Sequence, residues 1–555
     1  MFDIDTHKGI RVDLGCGANK NPGFVGIDIQ PLKGVDIVWD IERTPWPLPD
    51  DCALTVTASH ILEHVSPHSG DKRLQPLIDL LVAKKILNLR EARELGNPGP
   101  ALINVMDEVW RVLKPYCQFA FVVPHGESPG FIQDPTHCTP FNETCVTPDT
   151  EVLTYSGYKL ITDITPDDLV LSLNPQTNES EYISGNILTS FDRQGEMVHF
   201  SGRAIDLITN PNHRMWHSTR KLAKKNRWRF APAEDFLTRD PASIVFSNRM
   251  IYEGNGITEW KIEDRHPAKP NSRLTNKSVF PIDVFADFMG WYLSEGSCEV
   301  TYDRPSSYRV HIAQKKDPQR AKIAEMVKEL GFTPIVTPDS INFSAYALAP
   351  WLKQFGLCDQ KFIPRDLLNA PISARQRLFD SLMAGDGCWI RNGEQFQFSV
   401  TSKRLADDFQ VLAMSLGWRA SVTPRLPARR GEIMGKEYDL KPQFLVAGSK
   451  YSDIYAKAFT KVEGYQGSVH SLQMPVNHIY MARRNGKCIW TGNTMHYFDP
   501  LSGTGLYQFY RPRPWKIEQQ YFNPNGNLEV LLVKRPLDPS YEGVIPPLDI
   551  TQEKR

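Results

Sequence analysis

Three groups of residues in this chain have types and spacings that could do chemistry. The first is Arg11 to Gly17, RVDLGCG, followed by FVGIDIQ with its acid Asp28. Val12 and Leu14 suit a buried strand, Gly15 and Gly17 open a tight turn, and Asp28 closes the next strand. A strand, a glycine turn and an acid at the next strand end hold nucleotide-like ligands at a parallel-sheet edge. Lys20 stands where a dinucleotide fingerprint needs its third glycine, and Asp28 comes sooner than the ~20 residues that fingerprint leaves before its acid. S-adenosylmethionine is therefore favoured over NAD. The second group is His60 and His64, four apart, which could share a helix face as metal ligands. No third ligand is evident in the sequence, and a helix packed beside the cofactor strand is the better reading. The third group is a pair of acids. PIDVFADFMGWYLSEGS and ARQRLFDSLMAGDGC both read as helices ending in acid-glycine, Glu295-Gly296 and Asp386-Gly387. Ile282, Phe285, Phe288 and Tyr292 keep helical spacing, as do Leu378 and Leu382. Small residues, Gly290 and Ser381, precede each acid by five and would let two helices approach closely. The glycine after each acid suits a helix stop.

The elements around the first group extend the pattern. Asp40 ends an apparent third strand, VDIVWDI; LTVTASHILEHV fits a fourth strand and its helix; DEVWRVLKP and QFAFVVP fit a helix and a fifth strand. Together these resemble a class I S-adenosylmethionine-dependent methyltransferase, over about residues 9 to 144 and again from Thr494. The resemblance implies that Gly15 and Gly17 approach the amino-acid part of the cofactor, that Asp28 binds its ribose hydroxyls and that Asp40 lies near the adenine. Tyr116-Cys117 departs from the two glycines that family usually has after LKP. WKIEQQYFN and LEVLLVKRP read as an antiparallel strand pair that would complete the sheet. The methyl acceptor is unknown and no catalytic base is assigned, His137 being the nearest candidate.

At Cys145 the character of the chain changes. CVTPDTEVLTYSGYKLITDITPDDLVLSLN is β-rich and turn-punctuated. Near the far end stands VHSLQMPVNHIYMARRNGKCIWTGNT, and between them DLITNPNHRMW. In this order the three resemble the N-terminal, C-terminal and histidine-bearing splicing blocks of inteins, the Hedgehog/intein fold. The resemblance implies that the Cys145 thiol attacks the Thr144 carbonyl and that His213 polarises or protonates the amide as it breaks. Thr494 then takes over the acyl group, and Asn493 cyclises to cut the downstream junction. Two positions depart from the family pattern. Asn210 stands where a threonine usually precedes the histidine by three, and Gly492 replaces the penultimate histidine. His478 is the candidate to assist Asn493 instead.

The segment from Cys145 to Asn493 has 349 residues, more than splicing needs by family resemblance. An internal repeat fills the surplus: GFTPIVTP at 331–338 matches GWRASVTP at 417–424. With the two acid-ended helices, this resembles a single-chain LAGLIDADG homing endonuclease, monomeric with pseudo-twofold symmetry. The family implies that Glu295 and Asp386 lie side by side, where they repel. A divalent metal, Mg2+ by its taste for oxygen, would relieve that and activate water for phosphodiester hydrolysis. Lys361, in QKFIP, matches the family's lysine block, which implies a catalytic lysine that stabilises charge near the water or phosphate, with a solvated surface lysine as the alternative. Arg214, Arg220, Lys221, Lys224, Lys225, Arg227 and Arg229 form one run without an acid, and Arg425, Arg429 and Arg430 another, in a loop or hairpin. Such runs suit double-stranded DNA phosphates and carry little sequence information. The DNA target expected from the family is the uninterrupted host gene.

Length and composition bound the rest. At 555 residues several domains are expected. Lys+Arg and Asp+Glu both number 64, so net charge names no partner. Nine cysteines without a C-x-x-C pair argue against a disulfide framework or zinc finger, and a reducing cytoplasm is expected. The first residues carry no basic stretch leading into an apolar one, so no signal peptide is expected. No apolar run approaches the ~20 residues of a membrane span. The expected architecture is an α/β Rossmann-like methyltransferase host, residues 1–144 and 494–555. It is split by an all-β splicing domain, 145–260 and 451–493, which contains an α+β endonuclease, 261–450. An endonuclease decayed to a folding scaffold, in a host that binds cofactor without methyl transfer, is the alternative.

Overall fold

The computed structural model describes residues 9–66, 84, 101–124, 129–138, 145–175, 177–184, 186–263, 277–300, 308–433, 436–451, 453–474, 477, 479–492, 515–522 and 527–534. His478, Asn493, Thr494 and Thr144 lie outside the described residues.

The ends of the chain share one seven-stranded sheet. Its order is Ile37–Val38, Val25–Asp28, Ile10–Leu14, Ala53–Ser59, Leu113–Pro124, Asn527–Lys534, Trp515–Phe522. The first five strands pair in parallel and the last two are antiparallel additions. Leu532 pairs with Phe119 and Val530 with Phe121, so residues more than 400 apart in sequence meet in register. The apolar runs are fully buried, as parallel strands covered on both faces require: Val12, Leu14, Val56, Phe119 and Val123 expose nothing. The Ala101–Val112 helix buries Val105, Val109 and Val112, one face of a 3.6-residue repeat.

Three local expectations change here. The third strand is two residues long. ILEHV contributes a single 3-10 turn, Leu62–His64, and His60 stands before it with φ +55, so His60 and His64 do not share a helix face. Tyr116 takes φ +62, the left-handed conformation, at the place where the methyltransferase pattern has glycine.

The β-rich middle is built on two long strands. Ile187–Ser201 and Ala458–Gln473 pair antiparallel along nearly their whole length, with a register shift past Gly195. Asp206–Thr209 adds to the first. A second sheet, of thirteen strands, holds Glu151–Thr154, Val170–Leu173, Ser180–Ile183, Arg214–Thr219, Ile479–Arg484 and Lys487–Gly492, and the last of these pairs with Arg419–Leu426, so the sheet continues into four strands of the later repeat. Phe200, Phe236 and Phe246 pack between them with centroids 5.5–5.9 Å apart.

The repeat is a true structural duplication. Helix Ile282–Glu295, strands Gly296–Glu299 and Arg309–Ala313, helix Asp317–Glu329, and strands Ile335–Val336 and Ser340–Ser344 form the first half. Helix Ile372–Asp386, strands Gly387–Ile390 and Gln395–Val400, helix Lys403–Ser415, and strands Arg419–Leu426 and Gln443–Ser449 form the second. Both sheets have the same order: first, second, fourth, third strand. The second half carries an extra hairpin, Arg429–Ile433 and Lys436–Leu440, between its last two strands, and Arg429 and Arg430 lie on it. Gly331 and Gly417 end the paired outer helices at φ +90 and +86, the left-handed stop only glycine adopts freely.

The glycines after the two acids work differently from the expected helix stop. Gly296 and Gly387 have φ −93 and −91, extended rather than left-handed. Each is glycine because the chain leaves its helix directly into a strand across the last turn. A Cβ would fall 2.6 Å from the Tyr292 carbonyl oxygen at one and 2.6 Å from that of Met383 at the other.

Candidate functional sites

The two ends of the β-rich segment meet at one turn, Asn210-Pro211-Asn212-His213. Val146 bridges Thr209 and His470, which fixes Cys145 against the turn. The Cys145 N–H donates to Asn210 Oδ1 at 2.9 Å, and the Asn210 N–H donates back to the Cys145 carbonyl at 3.1 Å. This N–H belongs to the Thr144–Cys145 peptide bond. At the other end Thr491 pairs with Met215, and Thr491 Oγ1 lies 2.6 Å from His213 Nε2. Cys145, Asn210, His213 and Thr491 are all buried to 1 % exposure or less. Burial, then Arg214, holds the His213 imidazole down to about 3, so the ring is neutral. Its Nδ1 is buried with no hydrogen-bond partner among the described residues.

Both departures from the splicing pattern acquire physical reasons. Asn210, in place of threonine, supplies the oxygen that accepts from the Cys145 amide. Thr209, one residue earlier, points its buried hydroxyl at no partner among the described residues. Gly492 cannot be histidine in this packing, since a Cβ there would lie 2.4 Å from Phe230 Cε1 and 3.0 Å from the Arg214 carbonyl oxygen.

The acid-ended helices cross tightly, and each contact pairs a glycine with a serine. A Cβ on Gly290 would fall 2.5 Å from Ser381 Cβ, and one on Gly385 would fall 2.5 Å from Ser294 Cβ. The same added atom on Gly385 would lie 3.6 Å from Glu295 Cγ, so the crossing sets the two acids beside each other. Burial and then Glu295 push the Asp386 carboxyl up to about 7, against the pull of Lys361. Asp386 is crowded by neighbouring atoms yet keeps an exposed face, where water screens part of the repulsion. Lys361 is buried at 7 % exposure, which excludes the solvated-surface alternative. Its Nζ donates to the carbonyl oxygens of Tyr292 and Gly296, both at 2.9 Å. It thereby neutralises the negative end of the first helix. Burial lowers its pKa, opposed first by Asp386 and then, after Cys358, by Glu295.

The basic residues divide. Arg425 ends a strand of the second half and Arg429 and Arg430 follow in its hairpin. The 214–229 run covers the strand Arg214–Thr219, the short helix Arg220–Ala223 and the loop to Arg229, with Arg214 over the Phe230 ring and Arg220 over that of Tyr455.

In the seven-stranded sheet Gly15 and Gly17 take φ +60 and +54. The Gly17 N–H donates to Asp28 Oδ2 and the Gln30 N–H to Asp28 Oδ1, both at 2.9 Å. Asp28 thus braces the glycine turn itself. Asp13 supports it from below, accepting from the Asn21 N–H at 2.9 Å and the Thr57 hydroxyl at 3.0 Å. A Cβ on Gly15 would meet Ile61 Cγ1 at 2.6 Å, and one on Gly17 would meet nothing. The turn is therefore open on one side, where a ligand's backbone could lie. Asp40 is exposed and accepts from the Glu42 N–H at 2.9 Å.

No protein-family model matches the chain. Curated relatives include an ATP-dependent Clp protease proteolytic subunit of Chlamydomonas moewusii, 23 % identical over 311 residues, 53 % of this chain and 30 % of that one. A DNA-directed RNA polymerase subunit beta C-terminal section of Stigeoclonium helveticum is 23 % identical over 447 residues, 70 % of this chain and 39 % of that one. The chain thus spans less than two fifths of the length of these relatives. Similar solved structures include the AceL NrdHF class 3 split intein, 27 % identical, covering 20 % of this chain and 66 % of that one at TM-score 0.17. The homing endonuclease I-DmoI in complex with its target DNA is 15 % identical, with 30 % and 87 % covered at 0.22. A SAM-dependent methyltransferase from Archaeoglobus fulgidus is 17 % identical, with 29 % and 71 % covered at 0.16. Among the described residues no helix is long and apolar enough to cross a membrane.

Proposed function

We propose that this chain is a self-splicing precursor, in which an intein with an embedded homing endonuclease interrupts a methyltransferase-like host. The observation that carries the reading is the convergence on one turn. The amide nitrogen at the start of the segment is held by Asn210, and the strand at its end is held by His213. Splicing needs its two junctions within reach of one catalytic group, and an ordinary insertion does not. The two curated relatives share no activity by name, as an element carried between unrelated hosts would explain.

The chemistry follows from residue types. The Cys145 thiol adds to the Thr144 carbonyl carbon; the C–N bond breaks and the amine nitrogen gains a proton. Asn210 orients that nitrogen. The neutral His213 ring, 2.6 Å from the Thr491 hydroxyl through Nε2, is the group that would polarise or protonate the departing nitrogen. The acyl group passes to the Thr494 hydroxyl. The Asn493 side-chain nitrogen attacks its own carbonyl and releases the downstream piece, assisted by His478. The ester then rearranges to a peptide bond.

Within the excised segment, Glu295 and Asp386 are the groups that would hold Mg2+, which supplies a polarised water for phosphodiester hydrolysis. Two carboxyl groups set side by side repel, and a divalent cation with a preference for oxygen ligands would relieve that. Lys361 is a positioning residue that fixes the first helix end. The arginine hairpin suits the phosphates of double-stranded DNA. In the host, Gly15, Gly17, Asp28 and Asp40 would hold S-adenosylmethionine, and the open side of the Gly17 turn fits its approach. The test is mass analysis of the expressed protein and of Cys145→Ala and Asn493→Ala. Separate host and intein masses are expected for the parent alone. Normal ligated host from either variant would refute the assignment.

A further inference from the structure

The host part contains a cluster that the splicing, cutting and cofactor readings leave unused. Glu63, His64 and His137 each bring a donor atom within 4.8 Å of the others. Sequence reading paired His64 with His60 and missed His137, because the third donor is 73 residues further on. A backbone latch brings them together: the Cys138 N–H donates to the Glu63 carbonyl at 2.7 Å. The two imidazole rings meet edge-on, with centroids 4.7 Å apart.

Hydrogen bonds around the cluster set both histidines as ligands. His137 Nδ1 lies 3.0 Å from the Phe131 carbonyl oxygen, which only accepts, so Nδ1 carries the proton. The Thr136 hydroxyl donates to Asp134 Oδ1 at 2.6 Å and so accepts from His64 Nδ1 at 3.0 Å. With the Nδ1 proton taken up in these bonds, each ring presents Nε2 as its ligating atom. Ligating histidines are oriented in this way by carbonyl and carboxylate partners. Glu63 supplies the second independent sign. Its side chain is fully buried, and neither carboxylate oxygen has a hydrogen-bond partner among the described residues. His60 Nδ1 stands 3.3 Å from Oε1 without hydrogen-bond geometry, on a ring that is 47 % exposed. An unpaired buried carboxylate is costly, and a cation is the usual remedy. Asp134 Oδ2, 3.6 Å from His137 Nε2, adds a second negative charge at the rim.

We infer that Glu63, His64 and His137 form a binding site for a divalent transition metal of the Zn2+ class. Two imidazoles and one carboxylate suit that class and leave a coordination position for water or a substrate heteroatom. The site adjoins the glycine turn, since Ile61, two residues before Glu63, covers Gly15. It stands on the geometry of the host alone, whether or not the chain splices.

The experiment uses the untagged full chain carrying Cys145→Ala and Asn493→Ala, which keep it intact if the splicing reading holds and change nothing at this site if it does not. Zn2+ content after dialysis and Co2+ absorption titration are the readouts, with circular dichroism to check folding. One equivalent of metal is expected. His64→Gln and His137→Gln should each weaken binding by more than about 100-fold, and Thr136→Val, which removes only the orienting hydroxyl, by about 10-fold. His60→Gln should bind as the parent does. A parent that takes up no Zn2+ or Co2+, or folded His64→Gln and His137→Gln variants that bind as tightly as the parent, would overturn the proposal.

Discussion

Replacing Gly385 with alanine should separate the two acid-bearing helices. On an exposed helix this change is stabilising by about 0.8–1 kcal/mol, because alanine loses less backbone entropy than glycine. Here the new Cβ would fall 2.3 Å from Ser294 Oγ and 2.5 Å from Ser294 Cβ. The hydroxyl can rotate away but the Cβ cannot, so the helices must part or tilt. Overpacking a close contact destabilises by roughly 1–3 kcal/mol. The net effect is therefore a loss of about 0–2 kcal/mol, localised at this crossing. The crossing has a built-in control. Adding Ser294→Gly to Gly385→Ala moves the single Cβ to the other helix and should restore the approach. Hydrogen exchange across Ile282–Glu295 and Ile372–Asp386 reads the effect without assuming that the protein cuts DNA. Protection should fall in the single variant and recover in the double one. Unchanged protection in Gly385→Ala would refute the close crossing. A double variant no better than the single would show that the glycine–serine pairing does not set the spacing.

Further outcomes follow from the sites. The Asp386 carboxyl is raised to about 7 from 3.8, so without metal the native state holds a proton the unfolded chain has released. Its contribution to stability is full below the unfolded value and is lost as pH rises through about 7. In chelator, Asp386→Asn should therefore gain on the parent in thermal stability between pH 4 and 7; a constant difference would refute the shift. His213 works in the opposite direction. Lowered from 6.5 to about 3, it stays neutral while the unfolded chain takes up a proton, so stability falls as pH drops below 6.5. His213→Gln should flatten the acid side of a stability–pH curve by up to about 1.4 kcal/mol per pH unit, read by denaturant titration, and an unaltered slope would refute it. Finally, the strands that complete the host sheet form while the insert is in place. A Cys145→Ala, Asn493→Ala precursor should then bind S-adenosylmethionine calorimetrically yet transfer methyl poorly beside the ligated host, and equal turnover would show the insertion point to be neutral.

The sequence by itself determined what local chemistry and periodicity can fix. The glycine turn after Leu14, the acid-glycine helix ends and the repeat at 331–338 and 417–424 were legible because each depends on neighbours a few residues away. The last two strands of the seven-stranded sheet were legible because the turn PNGN splits two strand-like runs. The tertiary structure decided everything that depends on which distant atoms meet. Asn210 works as the amide's acceptor only because Val146 is bridged to both Thr209 and His470. Gly492 excludes histidine because Phe230 packs on it, from a strand more than 250 residues earlier. The glycines after the acids are extended rather than left-handed because the following strand folds straight back over its helix. In the sequence Lys361 reads as a match to the lysine block with a surface lysine as the alternative, and only the packing places two helix-end carbonyls on its ammonium. His137 becomes a partner of His64 only through the Cys138–Glu63 backbone latch. Sequence spacing reports short-range geometry, whereas burial and hydrogen-bond pairing between remote segments arise only when the whole chain has packed.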